Sequence, residues 1–488
     1  MRFRISNEKT SKKHLIALIL LIFSSTIVAR EKIPSPQISE LFIDLTSSKV
    51  LYAKHASLAL IPASVTKLFV AARALQQWGA YYTFPTQIYR RGQWKNGILT
   101  GDLVFYGLGD PEFTNEKMWQ LVNNLQQIGL KKIKGNIIVN ASYFGNVMVS
   151  APDRLEAKLH TKAAYDASLS SAGTNFGTIA VTIRPGEKSG DLAEVKISPY
   201  ALQNSFLVGK VMTRSGEGNV LQLTRTSKDR KETFLVSGTI GVKSEPVTLY
   251  RSVGNPNVAT GALLKAFLRQ AGIVSDGKII VELTPVKKTD TLLTQVESVP
   301  LIQSLQDMLR YSNNYIADTL TLDLWTAHQP RSLSSVKLSD AAKILLNASK
   351  ERLTEKDRDS VPILNSGSGL TPSNRISANN LIHLLKGVYQ NKRDFPVFYG
   401  SLVVPGQQTY WHNIPTIEHP WMSQTSVKTG HITVPSVVYT MAGYFRMNNG
   451  DLGAFAVLFN YPSNAETENA QLFKVLVKHL DSVFQNYL

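Results

Sequence analysis

The sequence predicts an α+β fold in which a mainly β segment interrupts a region of mixed helices and strands. Three observations support this prediction. Apolar residues recur at helical spacing just after residue 64 and again from about residue 299. Short strand-like runs separated by Gly, Asn and Pro fill the interval between about residues 80 and 250. Helices and strands do not alternate as βα units, which favours α+β over α/β.

The N-terminus has the pattern of an export signal. In residues 1–29, five basic residues and one acid surround or precede an apolar run from Leu15 to Phe23. This run is short for a membrane span, so cleavage near Ala29 is expected and an uncleaved anchor remains an alternative. The chain has no cysteine, which excludes disulfides, thiol nucleophiles and cysteine metal sites. An exported chain without disulfides is typical of a bacterial envelope, so we expect a periplasmic protein.

The charge is strongly positive. The formal net charge is +17, and removal of residues 1–29 would leave about +13. Such a balance favours anionic surfaces, and in an exported protein these are acidic wall polymer or phospholipid headgroups. Nucleic acid is not expected, because the sequence has no basic-aromatic motif of the usual kinds. A role in solubility alone remains open.

The elements follow in order. A hairpin between Glu40 and Tyr52 leads into a helix that begins at Ser64, a favourable N-cap residue, and ends before Gly79. A tight turn is predicted at Gly107–Pro111. Later helices are predicted over Asn115–Gln127, Ala259–Gln270, two stretches between Leu301 and Leu324, Asp340–Leu346, Asn379–Gln390 and Glu466–Phe484, and later strands over Val437–Phe445 and Leu452–Phe459.

Ser64 and Lys67 form the first candidate motif. Residues three apart on a helix share a face, so the Lys67 ammonium is expected within reach of the Ser64 hydroxyl. Alone this Ser-x-x-Lys pattern is weak, because it recurs at Ser6, Ser275 and Ser334.

Two later motifs make the first one specific. Ser312 and Asn314 lie in a predicted turn between helices, and Lys428-Thr429-Gly430 precedes a predicted strand. The order Ser-x-x-Lys, Ser-x-Asn, Lys-Thr-Gly is the motif set of β-lactamases and penicillin-binding proteins, in which the middle motif is written Ser-Asp-Asn. The sequence therefore predicts an acylating serine enzyme.

The residue types suggest a division of roles. Ser64 needs a base to remove its proton, and Lys67 is that base when neutral. A second cation nearby, Lys428, would lower the pKa of Lys67. The Ser312 hydroxyl would relay a proton to the leaving nitrogen, and the Asn314 amide would hold Lys67 and the substrate backbone.

The chain resembles the class C low-molecular-mass penicillin-binding proteins, the type-4 D-Ala-D-Ala carboxypeptidases and endopeptidases of the bacterial cell wall. The likeness extends to Gly107–Pro111, Gly135–Asn140, Asn175–Gly177 and Gly367–Leu370, and to the long interval between the first two motifs. It implies a discontinuous penicillin-binding, serine β-lactamase-like catalytic domain, an antiparallel sheet flanked by helices, formed by residues 30–80 and 290–488. Residues 81–289 would be an inserted, mainly β accessory region of two domains.

The resemblance also implies further site residues. The backbone N–H groups of Ser64 and His431 would form the oxyanion hole. Thr429 and Gly430 would bind the substrate, and Thr429 and Lys428 suit a substrate that ends in a free carboxylate. The turn Gly367–Ser368–Gly369 would border the cleft and contact substrate.

The implied activity is a serine-type D-Ala-D-Ala carboxypeptidase or endopeptidase that acts on peptidoglycan stem peptides and is acylated by β-lactams. No cofactor or metal is expected, because His412, His419 and His431 lack metal-ligand spacing. Ser366, Pro372 and His431 depart from the residues usual in the family, and Arg375 lies three residues beyond Pro372, so recognition of the stem-peptide side chain stays open. The alternatives are a β-lactamase or esterase on the same plan, and a wall-binding scaffold without turnover.

Overall fold

The computed structural model describes residues 35–149, 163–202, 206–228, 231–329, 335–346, 361–405, 418–462 and 469–488. The predicted export signal, residues 1–29, and His412 lie outside these residues. No helix within the described ranges has the length and apolar character needed to cross a membrane.

Helices and strands are distributed along the whole described chain. The helices are α1 (Lys67–Trp78), α2 (Asn115–Gln127), α3 (Pro256–Gln270), α4 (Leu301–Arg310), α5 (Asn314–Ala327), α6 (Leu338–Ala341), α7 (Ala378–Gln390), α8 (Phe395–Gly400) and α9 (Asn469–Phe484). The strands are β1 (Gln37–Asp44), β2 (Val50–Lys54), β3 (Pro85–Lys95), β4 (Ile98–Gly107), β5 (Lys132–Ile133), β6 (Ile137–Asn140), β7 (Asn146–Met148), β8 (Thr178–Arg184), β9 (Glu194–Ser198), β10 (Leu207–Arg214), β11 (Asn219–Lys228), β12 (Lys231–Gly241), β13 (Val247–Ser252), β14 (Val274–Ser275), β15 (Ile279–Glu282), β16 (Thr291–Glu297), β17 (Ser335–Lys337), β18 (Thr425–Ile432), β19 (Val438–Arg446) and β20 (Leu452–Asn460).

A five-stranded antiparallel sheet joins the two ends of the described chain. Its spatial order is β18-β19-β20-β1-β2. β1 pairs with β20 along its whole length, from Gln37 opposite Asn460 to Asp44 opposite Gly453. The N-terminal hairpin therefore completes a sheet whose other three strands lie near the C-terminus, and this brings the first sequence motif beside the last.

Helices cover both faces of this sheet. Successive residues of a strand point to opposite faces, and β1 shows this clearly: Leu41 and Ile43 join a buried cluster with α1, α4, α5 and α7, whereas Phe42 joins a second cluster with α9. Burial of the strands on both sides explains why β19 and β20 are almost continuously apolar. The predicted antiparallel sheet flanked by helices is thus present.

The middle of the chain forms three further sheets around one apolar core. A seven-stranded mixed sheet contains β3–β6 and β14–β16, and two three-stranded sheets contain β8, β9 and β13, and β10–β12. Buried residues of all three pack with α2 and α3 in a single cluster. β16 pairs with β3, so this sheet continues to Glu297, beyond the boundary at residue 289 predicted from the sequence.

The middle region packs against α5. The turn after β4 lies against this helix, and Gly109 has a φ of +84° and no room for a Cβ beside the Asp323 carboxylate. The ring of Phe176 packs edge-on against Tyr315, with centroids 6.4 Å apart. The predicted tight turn at Gly107–Pro111 therefore helps to seat α5, the helix that begins with Asn314.

Candidate active site

Ser64 lies in a short 3-10 turn, Ala63–Thr66, that leads directly into α1. The expectation that Ser64 caps the helix is wrong, because Thr66 precedes α1 and no side chain caps it. The Thr66 hydroxyl instead donates to the Ala63 carbonyl at 2.8 Å. Ala63 has a φ of +48°. This left-handed residue turns the chain sharply, so Ser64 is half-buried while its neighbours on both sides are buried.

Lys67 is fully buried and contacts Ser64. Its Nζ lies 2.9 Å from Ser64 Oγ, 2.8 Å from Asn314 Oδ1 and 2.6 Å from the Ser368 carbonyl oxygen. These partners come from three separate parts of the chain. The lysine is therefore fixed in orientation, and its nitrogen is within proton-transfer distance of the serine hydroxyl.

The second motif occupies the turn between α4 and α5. Ser312 has a φ of +54°, and the Asn313 side chain caps α5 by accepting from the N–H of Ile316 at 3.1 Å. This cap places Asn314 at the first position of α5. The Asn314 amide is engaged at both ends, since Oδ1 accepts from Lys67 and Nδ2 donates to the Tyr165 carbonyl at 3.0 Å.

The third motif lies on β18, the edge strand of the five-stranded sheet. This strand is held close to the nucleophile: a Cβ on Gly430 would be 2.7 Å from the Ser64 nitrogen, and the Thr440 hydroxyl on β19 donates to the Pro62 carbonyl at 2.8 Å. Glycine is required at residue 430 because a side chain would collide with the turn that carries Ser64. β18 thus passes directly beside Ser64 at Gly430.

Lys428 is buried, and its Nζ donates to the Thr429 carbonyl at 2.7 Å. Burial lowers the pKa of Lys428 to about 7, because an ammonium group without solvent is less stable than a neutral amine. The sequence assigned Lys428 as the cation that lowers the pKa of Lys67. With this pKa, Lys428 is protonated on about half of the molecules at pH 7, and its effect on the pKa of Lys67 stays a prediction.

His431 follows the third motif on the same strand. Its Nδ1 lies 3.0 Å from the Val438 carbonyl, and its ring stacks on Tyr439 at 4.4 Å. Burial lowers the pKa of His431 below its usual value. The His431 ring thus packs against β19. Its lowered pKa favours the neutral form at pH 7.

The turn Gly367–Ser368–Gly369 packs against Ala63 and Lys67. Ser368 is fully buried, and Gly369, with a φ of +76°, packs so tightly on Ala63 that a Cβ would overlap the Ala63 carbonyl. The sequence placed this turn at the cleft with side chains on the substrate. The structure disfavours that interpretation, because the Ser368 side chain is not accessible and its carbonyl accepts from Lys67.

Two residues close to this turn make hydrogen bonds within the same loop. Ser366, where the family usually has aspartate, accepts from the N–H of Gly369 at 3.2 Å. The Arg375 guanidinium donates to the backbone carbonyls of Pro372 and Asn374. Arg375 therefore braces its own loop.

Sequence reasoning missed two contributors. Asp318 is fully buried on α5 and accepts from the N–H of Ser368 at 2.8 Å. The signal was available, because an acidic residue stands within an apolar helical stretch four positions after Asn314. Tyr165 contributes a backbone carbonyl, which no sequence pattern identifies.

Comparisons with known proteins identify the family. The model of the D-Ala-D-Ala carboxypeptidase 3 (S13) family matches residues 24–479. The D-alanyl-D-alanine carboxypeptidase DacB of Haemophilus influenzae is 23% identical over 430 residues, which cover 87% of this chain and 86% of that protein. A D-alanyl-D-alanine carboxypeptidase of Actinomadura sp. is 26% identical over 358 residues, 70% of this chain and 63% of that protein.

Solved structures show the same architecture. The crystal structure of penicillin binding protein 4 (DacB) from Haemophilus influenzae superposes with a TM-score of 0.71 at 20% identity, covering 91% of this chain and 97% of that one. Its complex with a β-lactam superposes with a TM-score of 0.65 at 22% identity, covering 87% and 90%. These likenesses confirm the predicted fold.

Proposed function

The chain belongs to the D-Ala-D-Ala carboxypeptidase 3 (S13) family, and on that premise we propose that it hydrolyses the D-Ala-D-Ala end of peptidoglycan stem peptides through an acyl-enzyme on Ser64. It is a serine peptidase, a hydrolase of the penicillin-binding type. The observation that carries the assignment of the nucleophile is the buried Lys67 nitrogen 2.9 Å from Ser64 Oγ.

The first half of the reaction forms an ester. The Ser64 oxygen attacks the carbonyl carbon of the penultimate D-alanine while its proton passes to the neutral amine of Lys67. Backbone N–H groups of Ser64 and His431 stabilise the oxyanion. The tetrahedral intermediate then breaks its C–N bond, and the leaving D-alanine nitrogen takes a proton relayed from Lys67 through the Ser312 hydroxyl.

The second half of the reaction hydrolyses the ester and regenerates the free enzyme. A water oxygen attacks the ester carbonyl, loses its proton to the site, and releases Ser64 with its hydrogen restored. A β-lactam ring opens in the same way and leaves a penicilloyl ester on Ser64. Since no deacylating glutamate is identifiable in the sequence, we expect this ester to be long-lived.

Substrate recognition relies on β18. Thr429 and the protonated form of Lys428 suit the terminal carboxylate of the peptide, and the edge of β18 offers backbone groups to an extended substrate. Asn314 would contact the substrate backbone once its Nδ2 leaves the Tyr165 carbonyl. Endopeptidase action on a crosslink uses the same chemistry, with the amine of the neighbouring stem peptide as the leaving group.

Location and wider contacts follow from the N-terminus and the charge. The pattern of residues 1–29 supports export to the periplasm. The positive charge that remains supports peripheral contact with anionic wall polymer or membrane.

Labelling with a fluorescent penicillin tests the nucleophile. Ser64→Ala is expected to abolish covalent labelling, and Lys67→Ala to reduce its rate by several orders of magnitude. Undiminished labelling of Ser64→Ala would remove the proposal, and normal acylation of Lys67→Ala would show that Lys67 is not the base.

Product analysis on purified muropeptides tests the reaction. Released D-alanine identifies carboxypeptidase activity, and dimers split into monomers identify endopeptidase activity. Binding without either product supports the scaffold, and rapid release of hydrolysed penicillin supports the β-lactamase.

A further inference from the structure

We propose that Asp318 is a positioning residue for catalysis: it holds the Ser368 carbonyl in the place where that carbonyl directs the lone pair of Lys67 at Ser64. The inference rests on the proposed function, and it assigns a role to a residue outside the three motifs.

At least two partners of the Lys67 nitrogen can only accept. These are Asn314 Oδ1 at 2.8 Å and the Ser368 carbonyl at 2.6 Å, whereas Ser64 Oγ at 2.9 Å can donate or accept. A neutral lysine amine has two N–H bonds and one lone pair. If the two acceptors take the two N–H bonds, the lone pair points at the Ser64 hydroxyl, as removal of the serine proton requires.

The Ser368 carbonyl can orient the Lys67 amine only if the position of that carbonyl is fixed. The peptide of Ser368 is tied at its other side, because its N–H donates to Asp318 Oδ1 at 2.8 Å. Asp318, Ser368 and Lys67 all have 0% of their surface exposed. No bulk water is available there to replace a lost partner, so the carboxylate determines where the Ser368 peptide plane lies.

Helix α5 makes both contacts rigid. Asn314 and Asp318 are four residues apart on this helix and so lie on one face. The first contacts Lys67 directly, and the second contacts it through the Ser368 peptide. Gly367 packs on the same helix, with no space for a Cβ beside the Thr321 hydroxyl. The turn is therefore packed against the helix, and within this contact Asp318 is the side chain that bonds to the Ser368 peptide.

Two substitutions separate the acceptor from the charge. Asp318→Asn keeps an oxygen acceptor in the same place, and Asp318→Ala removes it. Thr321→Val is the matched control: Thr321 is buried on the same helix and faces the same turn, but its hydroxyl donates to the Ala317 carbonyl and not to Ser368. Each variant is compared with wild type for thermal unfolding and for the second-order rate constant of acylation by fluorescent penicillin.

Asp318→Ala is expected to slow acylation by about 100-fold, the usual cost of a misplaced catalytic group, while Asp318→Asn and Thr321→Val stay within about tenfold of wild type. Penicillin affinity in the Ser64→Ala background should not change with Asp318→Ala, since the residue does not touch the ligand. Should Asp318→Ala fail to fold, Asp318→Glu replaces it, because one added methylene displaces the acceptor while the charge remains.

Three results would overturn the inference. They are folded Asp318→Ala that acylates within tenfold of wild type, Asp318→Asn as slow as Asp318→Ala, and Thr321→Val as slow as Asp318→Ala. A wild-type protein that is not acylated would instead refute the proposed function, so the two failures are distinguishable.

Discussion

The buried ammonium of Lys428 leads to a pH dependence that can be worked out from the structure. Burial lowers the pKa of Lys428 to about 7, so the free enzyme carries the ammonium on roughly half of the molecules at pH 7, about a tenth at pH 8 and about a hundredth at pH 9. If this charge receives the carboxylate of penicillin, the second-order acylation rate constant should fall about tenfold per pH unit above pH 7.

The assay is the rate of covalent labelling by a fluorescent penicillin between pH 6 and 10 at constant ionic strength. The alkaline fall should disappear in Lys428→Met, which should be slow at every pH, and with a penicillin whose carboxylate is esterified. Lys265→Met is the control, because Lys265 also donates to a backbone carbonyl, that of Gly277 at 2.7 Å, but lies in the middle region. A rate that stays level or rises through pH 9 would refute the reasoning, since it would show that the neutral form of Lys428 is competent.

Two further predictions concern stability. Burial raises the pKa of Asp110 from 3.8 to about 7, so the stability that its protonated form provides is present below pH 3.8 and lost as pH rises through 7. At pH 9 the free energy of unfolding of Asp110→Asn should therefore exceed that of wild type by up to about 4 kcal/mol, and the variant should unfold at a higher urea concentration. Equal urea midpoints at pH 9 would contradict this. Gly369→Ala should lose both stability and penicillin labelling, because its Cβ would overlap the Ala63 carbonyl beside Ser64. Gly129→Ala, which has a φ of +87° and open space around it, should cost only about 1–2 kcal/mol for its backbone conformation, and an equal cost for the two variants would exclude the clash.

The local elements were largely predictable from the sequence. Helix α2 spans Asn115–Gln127 as expected, and β19 and β20 lie within one residue of the predicted strands. These elements have regular apolar spacing and clear end signals, which depend on neighbouring residues alone. The start of α1 was less predictable, because the 3-10 turn at Ser64 is set by contacts with Gly369 and Gly430, which lie far along the chain.

The order of the motifs predicted that Lys67 and Asn314 would meet. Lys67 and Asn314 are 247 positions apart and lie 2.8 Å from each other. The sequence did not predict the role of the glycine-rich turn, because accessibility is a property of packing. Ser368 was expected on the substrate and is buried behind Lys67.

By itself the sequence determined the α+β class, and it predicted the nucleophile and its two partner motifs, because these depend on residue type, spacing and order. Only the tertiary structure decided how the lysines are held. The pKa of Lys428 falls to about 7 because the side chain is buried, and the Lys67 nitrogen contacts a carbonyl whose peptide is held by Asp318. Both effects arise from contacts between distant segments and from the exclusion of water, and neither of these produces a recognisable pattern in the sequence.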